Sequence, residues 1–467
     1  MEIEYVTHAS LCLRSSQLTL LTDPFYFPEL DPTLAPSVRN FPPREIDVAS
    51  FGRVNYLFSS HEHHDHCHPQ TLARLRDQVE TVLLPAERPD LEARFREVGF
   101  STIRLLENRK PVVLEGGLEL TCYWDDPVDT MLLAKLDGTA ILHANDCWAS
   151  LPTLASIARS CPVDYAFFCS TSAQDLYPLL LPRPAEELDQ LAKGREDKFF
   201  EVAIQRIDAL RPRVVIPYSY TATYLSPDQV HLNGYSRLIP PTFQSRLKAR
   251  RPTVACWSLE PGDVIEPQSG SVRRIREESL WGRDLQEYLQ NVRRYSDSIC
   301  NELPPFEYGE PDACEQAVRE RLQIRLDEGV PYSSFYSCLN NAVVIHVVGK
   351  SRRASFLVNV ANKTVTPWSG DRGISPVPLL EIRIPASLME IMLSGAYDPF
   401  MILYTYRVVF QPHSLLKELR FSAIQEYSLY MGVILTLFMS LENKLLLAVA
   451  DLDEFLGLRP FAAHRRG

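Results

Sequence analysis

Five of the chain's eleven histidines, His61, His63, His64, His66 and His68, fall within eight consecutive positions. They lie in the run VNYLFSSHEHHDHCHP from Val54 to Pro69, which contains the pattern H-x-H-x-D-H as His61, His63, Asp65 and His66. Two imidazoles one residue apart can grip one metal ion, while Asp65 and His66 point to a neighbouring one. Hard and borderline cations favour such a nitrogen and oxygen mixture, and a pair of them can activate water or dioxygen. The plain alternative is a polyhistidine surface loop or tag, but a tag is terminal and carries no aspartate.

The elements around the motif must bring these donors together. Val54 to Phe58 is an apolar run of strand length, and Pro69 suits the first turn of a following helix. The donors therefore occupy the tight turn at a strand's C-terminal end. Ile3 to Val6, Leu11 to Leu13 and Leu18 to Leu21 read as three short strands. Asp23 follows the last of them, either as a carboxylate facing the site or as a turn residue before Pro24. His8 follows the first, and a lone histidine there is expected to support a ligand rather than be one. Asp137-Gly138 marks a hairpin between 131–136 and 139–144. The second of these strands, in AILHAND, ends just before Asp146, where a carboxylate can bridge two ions from the side opposite the histidines. His143 falls inside that strand and is assigned a structural role. Helical spacing over 189–210 precedes a buried strand ending at Pro217.

Composition sets broad bounds. A chain of 467 residues predicts two domains, and 45% apolar with 23% charged residues suits an ordinary globular protein. A net charge of −11 argues against a broad nucleic-acid surface but leaves room for a small anionic substrate. Ten cysteines without a CxxC pair, and an N-terminus without a basic and then apolar stretch, suit a cytoplasmic protein with reduced thiols. The longest apolar run, Leu429 to Leu441, is too short to span a bilayer, so no membrane association is expected. No Walker loop, GxGxxG fingerprint or paired Cys-His signature of a Rieske centre is visible. The expected organisation is a metal domain over 1–270, a charged, tyrosine-rich bridging helix over 271–305, and an α+β domain over 306–467. That last domain is expected to hold a helix at 313–327, strands at 342–349, 354–360, 380–384 and 401–410, a helix at 386–394, and mostly helix from His413. Its apolar C-terminal helices make an oligomer possible.

H-x-H-x-D-H after a strand, with an aspartate after a later strand, resembles the metallo-β-lactamase superfamily. That resemblance implies an α/β fold, the αββα sandwich, here with an additional C-terminal α+β domain. The segments THASLCL (7–13), LLTDPF (20–25), SSHEHHDH (59–66), DTMLLAKLDGTAILHANDC (129–147), LRPRVVIPYSY (210–220) and WSLEPGD (257–263) also resemble the non-Rieske part of CMP-N-acetylneuraminate hydroxylase. EIRIPASLMEIMLSGAYDPF (381–400) does so more loosely, and part of it is similar to sterol-carrier-like domains.

Two departures from the common hydrolase pattern stand out. No histidine lies between His68 and His143, and TCYWDDPVDT offers Asp125 or Asp126 instead, with Asp129 the less favoured choice. Tyr218 and Ser219 occupy the place of the last histidine, and His231 is the one imidazole near it in sequence. The resemblance thus implies two metal ions held by His61, His63, Asp65, His66, Asp146 and either Asp125 or Asp126. Asp65 and Asp146 would also act in catalysis, and His8, Asp23, His143, Tyr218 and His231 would support the ligands. Carboxylate in place of imidazole shifts the expected metal from zinc toward iron, with manganese also suited. The diiron β-hydroxylase of chloramphenicol biosynthesis, with this fold and a carboxylate among its ligands, resembles this situation. The expected activity is a diiron oxygenase acting on a small metabolite, fed by an external electron donor or reductase. The alternative is a hydrolase whose metal-bridged hydroxide attacks an ester, amide, lactone or phosphodiester.

Overall fold

The structure, a computed structural model, describes residues 1–31, 33–125, 129–169, 179–181, 183–219, 222–235, 238–327, 342–359, 362–370, 378, 380–394 and 405–412. The chain divides into two compact units. One comprises Met1–Pro32, Pro36–Asp175 and Lys193–Leu303; the other comprises Thr33–Ala35, Leu176–Ala192 and the chain from Pro304.

The first unit is built on two large sheets. One runs Ser271–Arg273, Val264–Glu266, Glu2–Thr7, Ser10–Arg14, Thr19–Thr22, Val54–Phe58, Val79–Pro85, Ile103–Leu106. The other runs Ala255–Cys256, Val214–Tyr218, Tyr165–Cys169, Thr139–His143, Met131–Leu136, Glu119–Tyr123, Val112–Val113. Side chains alternate across each strand, which lets one sheet serve two cores. Tyr5, Leu11, Leu20, Phe58 and Leu83 of the first sheet share a core with Leu132, Ile141, Phe167 and Ile216 of the second. Their neighbours Val6, Cys12, Leu21, Leu57 and Val82 instead meet Leu72, Leu75, Leu91 and Phe95 of helices Pro69–Leu75 and Pro89–Val98. Leu133, Leu142, Ala166 and Val215 meet helices Leu151–Ser160, Ala185–Leu210 and Pro240–Arg250 through Leu154, Ile157, Ile204 and Phe243. The order is helix, sheet, sheet, helix, the αββα sandwich of the metallo-β-lactamase fold.

Local chemistry sets the turns. Asp137 and Gly138 take φ of 50° and 76°, the left-handed pair that closes a two-residue hairpin between Leu136 and Thr139. Pro69 opens its helix behind His68, whose Nδ1 accepts from the Thr71 amide at 3.2 Å. Of the segment 271–305, expected to bridge the halves, residues 271–303 pack inside the first unit. Trp281, Tyr288 and Val292 form a core with Phe41, Leu225 and Ile239. The Glu260 carboxylate accepts from Ser279 Oγ and the Leu280 amide and pairs with Arg276, so a buried acid ties this segment to the sandwich.

In the second unit, helix Glu315–Asp327 and helix Ala386–Ser394 accompany a five-stranded sheet. Val343, Ile345, Val347, Phe356, Ile382 and Phe410 share a core with Leu322, Leu326 and Met389. The last described strand is Val409–Pro412. The expected strand over 401–410 lies partly outside the described residues, and the helices expected after His413 lie wholly outside them. Among the described residues no helix is long and apolar enough to cross a membrane.

Candidate metal centre

The motif sits in the turn between Phe58 and the helix at Pro69. The His66 and Cys67 amides both donate to the His63 carbonyl, at 3.0 and 2.9 Å, closing a tight loop that turns alternate side chains apart. His68 is occupied as the helix cap, and His64 packs on the His68 ring with Nε2 3.7 Å from Asp31 Oδ2. Two of the five clustered histidines therefore serve the loop rather than the centre.

The remaining donors form two groups, His61 with His63 and Asp146, and His8 with Asp65 and His66. Within each group, one ligand atom per residue lies within 4.8 Å of the others. His61 Nε2 is 2.8 Å from His63 Nδ1. His8 Nε2 is 3.0 Å from Asp65 Oδ2. His66 Nε2 lies 3.3 Å from Asp146 Oδ2 and 3.9 Å from Asp65 Oδ2, so Asp146 faces both groups. Both His66 ring nitrogens are buried without a well-formed hydrogen bond. Buried nitrogens aimed at carboxylates, in a set of imidazole and carboxylate donors, fit a pair of cations.

Behind these donors stands Asp23, fully buried at the end of strand Thr19–Thr22. Its Oδ1 accepts from the Ser60 amide at 2.7 Å. Its Oδ2 accepts from Ser60 Oγ at 2.9 Å and His143 Nε2 at 2.7 Å, with His66 Nδ1 3.3 Å away. Ser60 Oγ, having donated to Asp23, accepts from His61 Nδ1 at 2.9 Å, which leaves the Nε2 lone pair of His61 facing the site. His143 Nδ1 accepts from Tyr218 Oη at 2.8 Å, and Tyr218 Oη accepts from the Asn145 amide at 2.6 Å. One carboxylate thus orients an imidazole in each group.

The electrostatics follow from burial and proximity. Burial opposes ionisation of Asp23, but the hydrogen bond from His143 and the charge of the neighbouring His66 outweigh it and hold the carboxyl well below its usual range. Burial likewise opposes ionisation of Asp65 and Asp146, and the charge of His66 more than offsets it in both. His66 itself is pushed down by burial and up by Asp146 and Asp65, which win and raise it well above 6.5. His61 is held well below 6.5, first by burial and then by the charges of His66 and His63, and so presents a neutral imidazole.

The structure places several of the expected residues differently. His8, assigned a supporting role, stands with Asp65 and His66 as a possible ligand, because the residues after strand Glu2–Thr7 turn its ring into the site. Asp125, one of two carboxylates expected to replace the missing histidine, is directed elsewhere. It pairs with Arg109, accepts from the Ser150 amide at 2.7 Å and from Thr153 Oγ1 at 2.8 Å, and so braces the start of helix Leu151–Ser160. Asp126 lies outside the described residues. Asp129, the less favoured choice, places Oδ1 3.6 Å from His61 Nε2. His231 is exposed in the short helix Val230–Tyr235 and lines a separate cleft of about 600 Å³ with Leu285, Leu289 and Arg293. Ser219, directly after strand Val214–Tyr218, places its Oγ 3.3 Å from Asp146 Oδ1 and 3.5 Å from His8 Nε2. The contribution of Ser60 carried no signal beyond its neighbours in sequence.

A beta-lactamase superfamily domain is matched over residues 2–163. A Mycolicibacterium smegmatis protein named as a Rieske 2Fe-2S iron-sulfur protein is 33% identical over 244 residues, 50% of this chain and 46% of its own. The 4-amino-L-phenylalanyl-[CmlP-peptidyl-carrier-protein] 3-hydroxylase of Streptomyces venezuelae is 24% identical over 241 residues, 46% of this chain and 43% of its own. The matched regions cover less than half the length of these relatives. Among solved structures, the S. venezuelae diiron β-hydroxylase CmlA matches with a TM-score of 0.40 at 19% identity, over 59% of this chain and 54% of its own. A metallo hydrolase of Ignicoccus hospitalis matches with the same TM-score at 15% identity, over 59% of this chain and 99% of its own.

Three outcomes test this geometry. Asp125→Ala should cost about 1 kcal/mol of stability through lost helix-end bonding, leaving metal content unchanged, whereas Asp129→Ala should weaken metal binding. Thermal melts and elemental analysis of the two variants check this. Asp23→Asn should weaken metal binding by about 10–100-fold, read by competition with a chromophoric chelator. The proton on His66 must leave when an ion binds, so affinity should rise with pH until the raised His66 value is passed. Binding near pH 7 should release about one proton, measured by calorimetry in two buffers of different ionisation enthalpy. In the metal-free protein the signs differ by group. The stability contributed by Asp23, Asp65 and Asp146 is present above the ordinary carboxylate range and lost as pH falls through their lowered values. That from His66 is present below 6.5 and lost as pH rises through its raised value.

Proposed function

We propose that this chain is a dinuclear-metal enzyme that uses dioxygen to hydroxylate or oxidise a small molecule. The observation that carries the reading is the donor set: two histidines and one carboxylate in each group, with Asp146 facing both. Two histidines and one carboxylate, with positions left open, are the donors that non-haem iron oxygenases use. When bound, such ions would supply Lewis acidity and, as iron, the electrons and coordination sites for dioxygen chemistry.

The protein's own residues prepare that chemistry. Ser60, held by Asp23, fixes His61 with Nε2 turned inward. Ser219 holds one oxygen of Asp146, leaving the other toward His66. The exposed ring of His63 and the partly exposed Asp65 place the open side of the centre toward solvent, while His8, His61 and His66 wall its buried side. Asp129 would complete the first group in the place of an imidazole. Asp65, beside His8 and held ionised by the charge of His66, offers the second group a carboxylate donor.

The hydroxylase name of one relative supports the oxygenase reading, and the iron-sulfur name of another supports an external one-electron donor. A carrier-bound amino acid is the first substrate to try, followed by a nucleotide sugar as the CMP-N-acetylneuraminate hydroxylase resemblance suggests. Protein produced with both iron and zinc available should hold about two irons per chain and consume dioxygen when given a reductant. His61→Ala and His63→Ala should each lose one ion and the uptake. Zinc without iron, with ester or phosphodiester turnover that survives exclusion of oxygen, would instead establish the hydrolase.

A further inference from the structure

The turn that carries Asp146 is short and held from several directions. Cys147 N donates to the Ala144 carbonyl at 3.0 Å and to Asn145 Oδ1 at 3.2 Å. Asn145, with φ of 38°, donates through its side chain to the Thr130 carbonyl. One further contact comes from helix Ala185–Leu210. Arg206 is buried, and its guanidinium donates to the Cys147 carbonyl. Its Cζ lies 5.1 Å from the Trp148 ring centroid and 5.2 Å from that of Phe168.

No carboxylate pairs with Arg206 among the described residues, and its Nε lacks a hydrogen-bond partner. A buried cation is costly, and burial already presses the guanidinium toward its neutral form. Two aromatic faces and one carbonyl offset that cost in part. Among the described residues, the hydrogen-bond and ring contacts of the guanidinium, apart from Phe168, belong to the two residues after Asp146. A methionine or leucine would fill the same space without the charge, so packing alone does not account for an arginine here.

We propose that Arg206 is a positioning residue for the metal centre, gripping the Cys147 carbonyl and the Trp148 ring so that Asp146 is aimed at both metal-binding groups. The proposal rests on the reading of Asp146 as a ligand.

The test measures affinity for zinc and for ferrous iron, kept anaerobic, by competition with a chromophoric chelator in wild type, R206M, D146A and the double variant. Thermal midpoints of the metal-free proteins are recorded alongside. R206M should lose about 10–100-fold in affinity for one ion, as lost support of a metal ligand does, and the loss should vanish in the D146A background. R206K, which keeps the charge and a donor but not the planar fork, should recover part of it. An equal loss with and without Asp146 would mean that Arg206 serves the fold generally, and would overturn the proposal. So would an R206M affinity equal to wild type. If R206M does not fold, R206K carries the test, with a smaller loss that must likewise disappear in D146A. If D146A binds metal as wild type does, the reading of the centre itself fails, which is distinct from D146A weakening binding while R206M does not.

Discussion

Asp23 gathers the Ser60 amide, the Ser60 hydroxyl, His143 and His66 around a single buried carboxylate. One imidazole of each metal-binding group is oriented from it, His61 through Ser60 and His66 directly. An anion at zero exposure is tolerable only when its oxygens are fully engaged, and the donors that engage it are the same groups that fix the imidazoles. Through Ser60 it sets which nitrogen of His61 faces the site, and directly it faces Nδ1 of His66. The two metal-binding groups are therefore not independent, because they share one positional reference behind them. The sheet supplies that reference cheaply: Asp23 directly follows a central strand, and its amide donates to the Phe58 carbonyl at 2.9 Å.

The backbone around the centre is arranged in the same spirit. His8, Asp23, Asn145 and Ser219 all take positive φ, between 38° and 61°, and each stands just beyond the end of a strand. Non-glycine residues resist that conformation, so the surrounding bonds must outweigh the strain. What the strain achieves is direction. A strand ends by pointing its next side chain up or down, and a left-handed residue there turns the chain so that donors from separate strands meet.

Much of this was readable in the chain. The apolar runs in LLTDPF and in MLLAKLDGTAILH mark strands, Asp137-Gly138 marks the hairpin turn, and H-x-H-x-D-H marks the loop that bears the histidines. What escaped depends on contacts between distant positions. Asp125 and Asp129 flank the same strand connection and look alike in sequence. The difference is that Ser150 and Thr153, some twenty-five residues on, engage Asp125 at a helix start. His8 is a solitary histidine whose partner, Asp65, lies on another strand's loop. The division of the chain shows the same limit. The charged segment 271–305 reads as a linker until Trp281 and Tyr288 find Phe41, and no local pattern announces a partner so far back in the sequence.

His61 and His63 come from the loops of one sheet, whereas Asp146 comes from the end of a strand in the other. Ions held between them would be rivets through the sandwich, fastening the two layers at one edge where the inner apolar core gives way to polar side chains. The strength of that edge would then depend on metal supply as well as on bonds such as His143 to Asp23 that already span it. A cell short of metal would hold a chain whose layers breathe at the active edge and remain closed elsewhere, so scarcity would expose the site to proteolysis before it threatened the fold.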